Sequence, residues 1–272
     1  MKKIVYILLA AMFGSALLGL AGCSVFEIDN YDQPEETIRG NIVDAYTGEM
    51  IQTEQNSRGV RVRLTELSWG ENVTHNPDFY ARDNGFYQNT KIFKGDYNVR
   101  IDGPFVPIVR ETPDGDTIFN GTVDCRIEGI TQVHFRVQPF LKVEIVGDPV
   151  VSGGKITAQV RVTRATPEQD FREAIEPMGS YSDAMMNVTD VRLYVGYSST
   201  CNGDNKYDAW SNVLEYEGSA FEPYLGQVIT ISSRGTVKPN RKVFIRAAAR
   251  INYATAGERR YNFSEVREVN IP

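Results

Sequence analysis

Runs of alternating apolar and polar residues dominate this chain and confine it to β structure. Val60, Val62 and Leu64 alternate with Arg61, Arg63 and Thr65. Tyr97, Val99 and Ile101 alternate with Asn98, Arg100 and Asp102, and Val133, Phe135 and Val137 with His134, Arg136 and Gln138. Successive side chains of a strand point to opposite faces, so each run puts one face into a core and the other into water. Thr47-Gly48-Glu49, Asp83-Asn84-Gly85, Lys94-Gly95-Asp96 and Asp114-Gly115-Asp116 supply turns between them. Many short strands at this spacing predict a β-sandwich.

Pro139 interrupts the alternation and a second set follows. Leu141, Val143 and Ile145 begin it, then Ile156, Ala158, Val160 and Val162. Val191, Leu193, Val195 and Tyr197 make a third run, and Val243, Ile245, Ala247, Ala249 and Ile251 a fourth. Phe263, Val266 and Val269 lie in a final extended segment. Residues 167–188 lack alternation, and Glu168–Ile175 reads as a short helix closed by Pro177. The fold class is therefore all-β, with two tandem sandwiches over residues 37–138 and 140–272. Each half exceeds about one hundred residues, enough for its own core.

The N-terminal residues point to a compartment. Lys2 and Lys3 precede an apolar stretch from Ile4 to Leu20, which ends in Leu20-Ala21-Gly22-Cys23. Its position and flanks fit a secretory signal better than a span. The last four residues resemble the bacterial lipobox, which implies cleavage after residue 22 and lipidation of Cys23. No later apolar run is long enough to span a bilayer. The expectation is a protein anchored to a membrane through acyl chains, with 1–22 as signal peptide and 23–36 as lipidated tether. Glu27, Asp29 and Asp32 have two readings. They resemble the export tag of surface lipoproteins from gut glycan-degrading anaerobes, or they form a solvated tether.

Composition excludes several classes. With 29 Lys and Arg against 35 Asp and Glu, the net charge of −6 disfavours nucleic-acid binding. Two His and three Cys leave no material for a His-rich metal centre or a disulfide framework. No G-x-S-x-G elbow orients a nucleophilic serine. No enzyme activity, metal or cofactor is expected.

The first half carries a recognisable order. Ile38-Arg39-Gly40-Asn41-Ile42-Val43-Asp44 leads to Thr47-Gly48-Glu49, then Asp83-Asn84-Gly85-Phe86-Tyr87, then Lys94-Gly95-Asp96-Tyr97-Asn98-Val99. This resembles the carboxypeptidase-regulatory or prealbumin-like sandwich, each Gly marking a turn and each Tyr or Phe filling the core. Residues 67–80 and 103–122 are longer than the usual loops and are expected to lie outside the core. The ends of the second half, Val243–Arg250 and Tyr261–Val266, resemble an Ig-like or fibronectin-III-like closing hairpin. The whole arrangement resembles a family of gut-anaerobe surface lipoproteins whose genes sit beside glycan importers of the starch-utilisation-system type. That resemblance implies residence at the outer membrane facing the cell surface, a possible polysaccharide ligand, and a place beside an outer-membrane importer complex.

Two loops hold both tryptophans among polar residues. Trp69 opens one that runs to Tyr80; the other contains Asn202, Asp204, Tyr207 and Trp210. Sugars pack C–H faces on aromatic rings and offer hydroxyls to amides and carboxylates, so these six residues are the candidate ligand-binding set. The competing reading is that each Trp plugs its sandwich core. Asn202, Asp204, Asn205 and Asp208 offer oxygens at near-alternate positions, but Lys206 interrupts them and no bidentate Glu follows, so a polar turn is the better reading than a calcium site. His75 and His134 stand alone and read as surface residues. A bridge between Cys125 and Cys201 would have to pin the two halves together. The leading functional reading is a non-enzymatic lipoprotein that binds glycan or assists a glycan importer. The alternative is a structural or adhesive module that binds protein through its sheet edges.

Overall fold

The computed structural model describes residues 32–68 and 78–272. Cys23, Trp69 and His75 lie outside them. Residues 35–272 form one compact unit. It is all-β, with one short helix, as the alternation predicted.

The first half is a sandwich of two sheets. One sheet pairs β1 (Glu36–Asp44) with β4 (Phe86–Ile92) on one side, and in parallel with β9 (Ile130–Gln132) and β10 (Phe135–Val137) on the other. The second runs β3 (Phe79–Tyr80), β2 (Arg61–Glu66), β5 (Gly95–Asp102), β8 (Val123–Ile127). Ile38, Ile42, Val60, Val62, Val99 and Ile101 meet between them. A hairpin of β6 (Val109–Glu111) and β7 (Thr117–Asn120) extends from this half.

Gly48 and Gly85 adopt positive φ at turns, as the motif implied. Gly40 does not mark a turn. It sits inside β1, where a Cβ would fall 1.7 Å from the Val133 carbonyl oxygen. Gly95 likewise begins a strand. Tyr87 and Tyr97 are buried, while Phe86 is half-buried beneath the Arg82 guanidinium.

The second half packs a sheet of β11 (Leu141–Ile145), β13 (Lys155–Arg164), β12 (Val150–Ser152) and β16 (Val228–Ser232) against another. That other sheet contains β14 (Val188–Gly196), β15 (Asn212–Glu215), β17 (Arg241–Ile251), β18 (Asn262–Phe263) and β19 (Arg267–Ile271). The alternating sets Ile156/Ala158/Val160/Val162 and Val191/Leu193/Val195 face each other across the core. Helix α1 (Glu168–Ile175) lays Phe171, Ala174 and Ile175 onto it. Tyr197 departs from its expected place: β14 ends at Gly196, and the Tyr197 ring is 53% exposed.

The segment 103–122 also corrects its expectation. Phe105 joins the first core and Val106 the second, so this segment belongs to the seam between halves. Gly103 and Pro104 present their carbonyls to Thr255 Oγ1 (2.7 Å) and Asn262 Nδ2 (3.0 Å). The Asp114-Gly115-Asp116 turn does close the β6–β7 hairpin.

Candidate functional site

The seam explains why several polar candidates fold as they do. β14 and β17 each have an inward apolar set, so Asp190, Arg192 and Tyr194 share the outward face with Arg246, Ala248 and Arg250. Part of this outward face is covered by residues 52–58 of the first half. Arg246 is 1% exposed and donates from Nε to the Ser264 carbonyl and from Nη1 to the Thr53 carbonyl, both at 3.1 Å. Its guanidinium lies 4.5 Å from the Phe263 ring centre. Burial pulls its proton affinity down, opposed by the Asp83 carboxylate 3.7 Å away. Arg260 donates to the Ser57 and Gly59 carbonyls at 2.7 Å.

The loop that follows β14 docks on the same seam. Buried Glu54 accepts from the Gly203 amide at 2.9 Å and from Asn56 Nδ2 at 3.1 Å. Asn202 is buried, and its Oδ1 accepts from the amides of Asp204 and Asn205 at 2.8 and 2.9 Å. That is an Asx turn, which consumes the side chain in shaping the loop. Asp204 accepts from Asn56 Nδ2 at 2.6 Å and pairs with Arg58. Asn202 Oδ1 is thus committed to the loop, while the Asp204 carboxylate is tied to Asn56 and Arg58 with its side chain still largely exposed. Among the described residues no group of three or more His, Cys, Asp or Glu is placed to hold a metal ion.

The aromatic members of the loop behave differently. Trp210 is 6% exposed and belongs to the second core. Its amide donates to the Tyr207 carbonyl at 3.1 Å and its carbonyl accepts from the Arg234 amide at 2.9 Å, which fixes the backbone around it. Tyr207 is 45% exposed and lies over the indole, with ring centres 4.1 Å apart and planes 34° apart. Tyr197 meets Trp210 edge-on at 5.1 Å, and Arg241 donates to its hydroxyl at 3.1 Å. Two tyrosine faces thus stand in solvent on a buried tryptophan base. Asp208, paired with Lys206 at 3.0 Å, borders them. Sequence reasoning missed Tyr197 because its apolar neighbours made it look like one more inward strand residue. Tyr80 is exposed on β3, opposite Arg61 on β2. No ring contact joins it to the patch among the described residues.

His134 is exposed and accepts from the Asn41 amide through Nδ1 at 3.1 Å. Cys125 and Cys201 are both free thiols. Burial pushes the Cys201 thiol up to about 12, so it stays protonated. A wide groove of about 660 Å³ takes Gly203 and Lys206 from the loop that follows β14 and is walled further by Arg58, Arg192, Arg250, Arg259 and Tyr261 among others.

Fold and site together define an all-β protein of two sandwiches joined at a polar seam, with an exposed aromatic patch. A family model described as a protein of unknown function (DUF3823), N-terminal domain, matches residues 36–138. A DUF3823 family protein from Bacteroides uniformis, solved by crystallography, is 56% identical, with a TM-score of 0.86 over 88% of this chain and 100% of that chain. The chain belongs to the DUF3823 family. Two more distant crystal structures share the fold. One is a DUF3823 family protein from Parabacteroides merdae, 15% identical, TM-score 0.59, covering 88% of this chain and 100% of that one. The other, also from Bacteroides uniformis, is described as a candidate carbohydrate binding protein; it is 18% identical, with a TM-score of 0.63 over 88% of this chain and 100% of that one. No curated protein matches.

Proposed function

We propose that this protein is a non-enzymatic surface lipoprotein that binds glycan through Tyr197 and Tyr207. The exposed pair of tyrosine faces over Trp210 is the observation that carries this reading. A sugar ring packs its C–H face on an aromatic ring, and polar neighbours such as Asp208 and Arg241 suit its hydroxyls. Because Trp210 and Asn202 are buried, Tyr197 and Tyr207 supply the contact surface at this loop, with Trp210 holding Tyr207 in place. The description of one fold relative as a candidate carbohydrate binding protein agrees with this reading. The lipobox-like end at Cys23 anchors the protein to the outer membrane on the cell surface, where it serves an importer of polysaccharide fragments.

The test is a titration of the chain from residue 24 onward with a panel of polysaccharides, followed by intrinsic fluorescence. Tyr207 sits close enough to Trp210 for a bound sugar to alter the indole emission. The expected result is a saturable change with at least one polysaccharide, abolished in Tyr207→Ala with an unchanged melting temperature. Silence across a broad panel overturns the glycan reading and favours a protein partner, whereas binding untouched by Tyr197→Ala and Tyr207→Ala overturns the tyrosine site. The anchor has its own check: Cys23→Ala should release the protein from the membrane fraction.

A further inference from the structure

The groove at the seam has the makings of a second site, distinct from the tyrosine patch. It is bordered by the Glu54–Arg58 segment, the outward face of β14 and β17, and the turn at Ala254–Glu258. The chain as a whole carries a net charge of −6, yet this groove gathers five cationic side chains. Two of them are already neutralised: Arg58 lies against both Asp204 and the buried Glu54 that lines the groove, and Lys206 pairs with Asp208. Arg192, Arg250 and Arg259 remain, against Asp190 and Glu258.

Asp190 is buried and acts as the fixture for two of those guanidiniums. Its Oδ1 accepts from Arg192 Nε and its Oδ2 from Arg250 Nε, each at 2.7 Å, while the Tyr261 hydroxyl donates to Oδ1 at 2.5 Å. Both guanidiniums also lie on the Tyr261 ring, 5.2 and 4.8 Å from its centre. Arg250 is hydrogen-bonded through Nε alone among the described residues, so its four terminal N–H donors are left to the groove. Two half-buried guanidiniums are thereby aimed and made rigid before any ligand arrives. Such a pair has the fork geometry that suits carboxylate, sulfate or phosphate oxygens.

We propose that the Arg192–Arg250 groove, with Arg259 at its edge, binds the anionic groups of an acidic glycan, a uronate carboxylate or a sulfate ester. That the anion is carried by a glycan rests on the function proposed above. That the groove takes an anion rests on the arginines alone. The tyrosine patch would then grip sugar faces while the groove reads charge, and the loop from Tyr197 to Trp210 contributes to both.

The experiment compares a neutral polymer with its charged form. Calorimetric titrations use dextran, dextran sulfate, polygalacturonate and inorganic sulfate against the chain from residue 24 onward. The expected result is that a charged polymer binds at least about tenfold more tightly than dextran at low salt, and that the preference shrinks as salt rises. Arg250→Gln should weaken the charged polymer about tenfold. Arg259→Gln, which lies outside the Asp190 network, should weaken it about threefold and keeps the test valid if Arg250→Gln fails to fold. Tyr207→Ala should leave inorganic sulfate binding intact. Sulfate binding that needs Arg250, without binding of any polymer, would uphold the anion groove and sink the glycan reading. Equal affinity for dextran and dextran sulfate together with no sulfate binding, or a charge preference that Arg192→Gln, Arg250→Gln and Arg259→Gln all leave unchanged, would overturn the groove.

Discussion

The seam and the tyrosine patch are built from similar materials and do opposite things with them. At the seam, the Arg246 guanidinium is stacked on Phe263, bonded to two carbonyls and shut away from water. At the patch, Tyr197 and Tyr207 also lean on an aromatic neighbour, yet about half of each ring stays in solvent. A buried charge is tolerable only when protein partners replace its water, so the seam is structural. An exposed, immobilised ring makes no such demand and keeps a face for a ligand. The contrast separates residues that lock the halves from residues that can recognise something else.

Arg246→Ala gives the strongest way to break this contrast. It leaves the Thr53 and Ser264 carbonyls without their partner and should cost about 3 kcal/mol or more in urea unfolding. A loss below about 1 kcal/mol would mean the seam does not fix the halves. Trp210→Ala should be comparably damaging, about 3 kcal/mol, because it empties part of the second core. Tyr207→Ala next to it should cost well under about 1 kcal/mol while removing glycan binding. Similar stability losses in both would merge patch and core into one structural unit.

Acid sharpens the same comparison. Burial alone would raise the Asp190 carboxyl, but hydrogen bonds from Arg192 and Tyr261 and the Arg250 charge outweigh it and leave the group below its usual range. The unfolded chain then binds the proton first. The stabilisation is complete above the unfolded carboxylate value near ~3.9 and is lost as pH falls through the lower folded value. Unfolding free energy should therefore drop below about pH 4, and less steeply in Asp190→Asn. The smallest effect is chemical: at pH 8, Cys201 should resist alkylation until denaturant is added, read by mass spectrometry of the modified peptide.

Much of the scaffold was legible from alternation. Ile156, Ala158, Val160 and Val162 are all buried, as are Val243, Ile245, Ala247, Ala249 and Ile251. The helix at Glu168–Ile175 was legible from the break in period. The seam was not. Alternation assigns Arg246 and Ala248 to the watery face, yet Arg246 is buried against the Thr53 carbonyl of the first half and Ala248 among Tyr194, Cys201, Tyr261 and Phe263. Ala248 was the available signal, since a methyl between two arginines leaves room for something to approach. Asn202 and Asp204 looked like ligand residues because composition does not reveal whether an oxygen is already bonded.

The sequence alone determined the alternating strands such as β2, β5, β13 and β17, the helix, the turn glycines at 48 and 85, and which side of those strands seeks an apolar neighbour. These follow from local periodicity and backbone sterics, which act within a few residues. Only the tertiary structure decided which outward faces meet water. It brought Glu54 to Gly203 across 149 positions and set Arg192 and Arg250 on one carboxylate across 58. Such contacts depend on how two whole sheets are stacked and joined, and no local pattern encodes that distance.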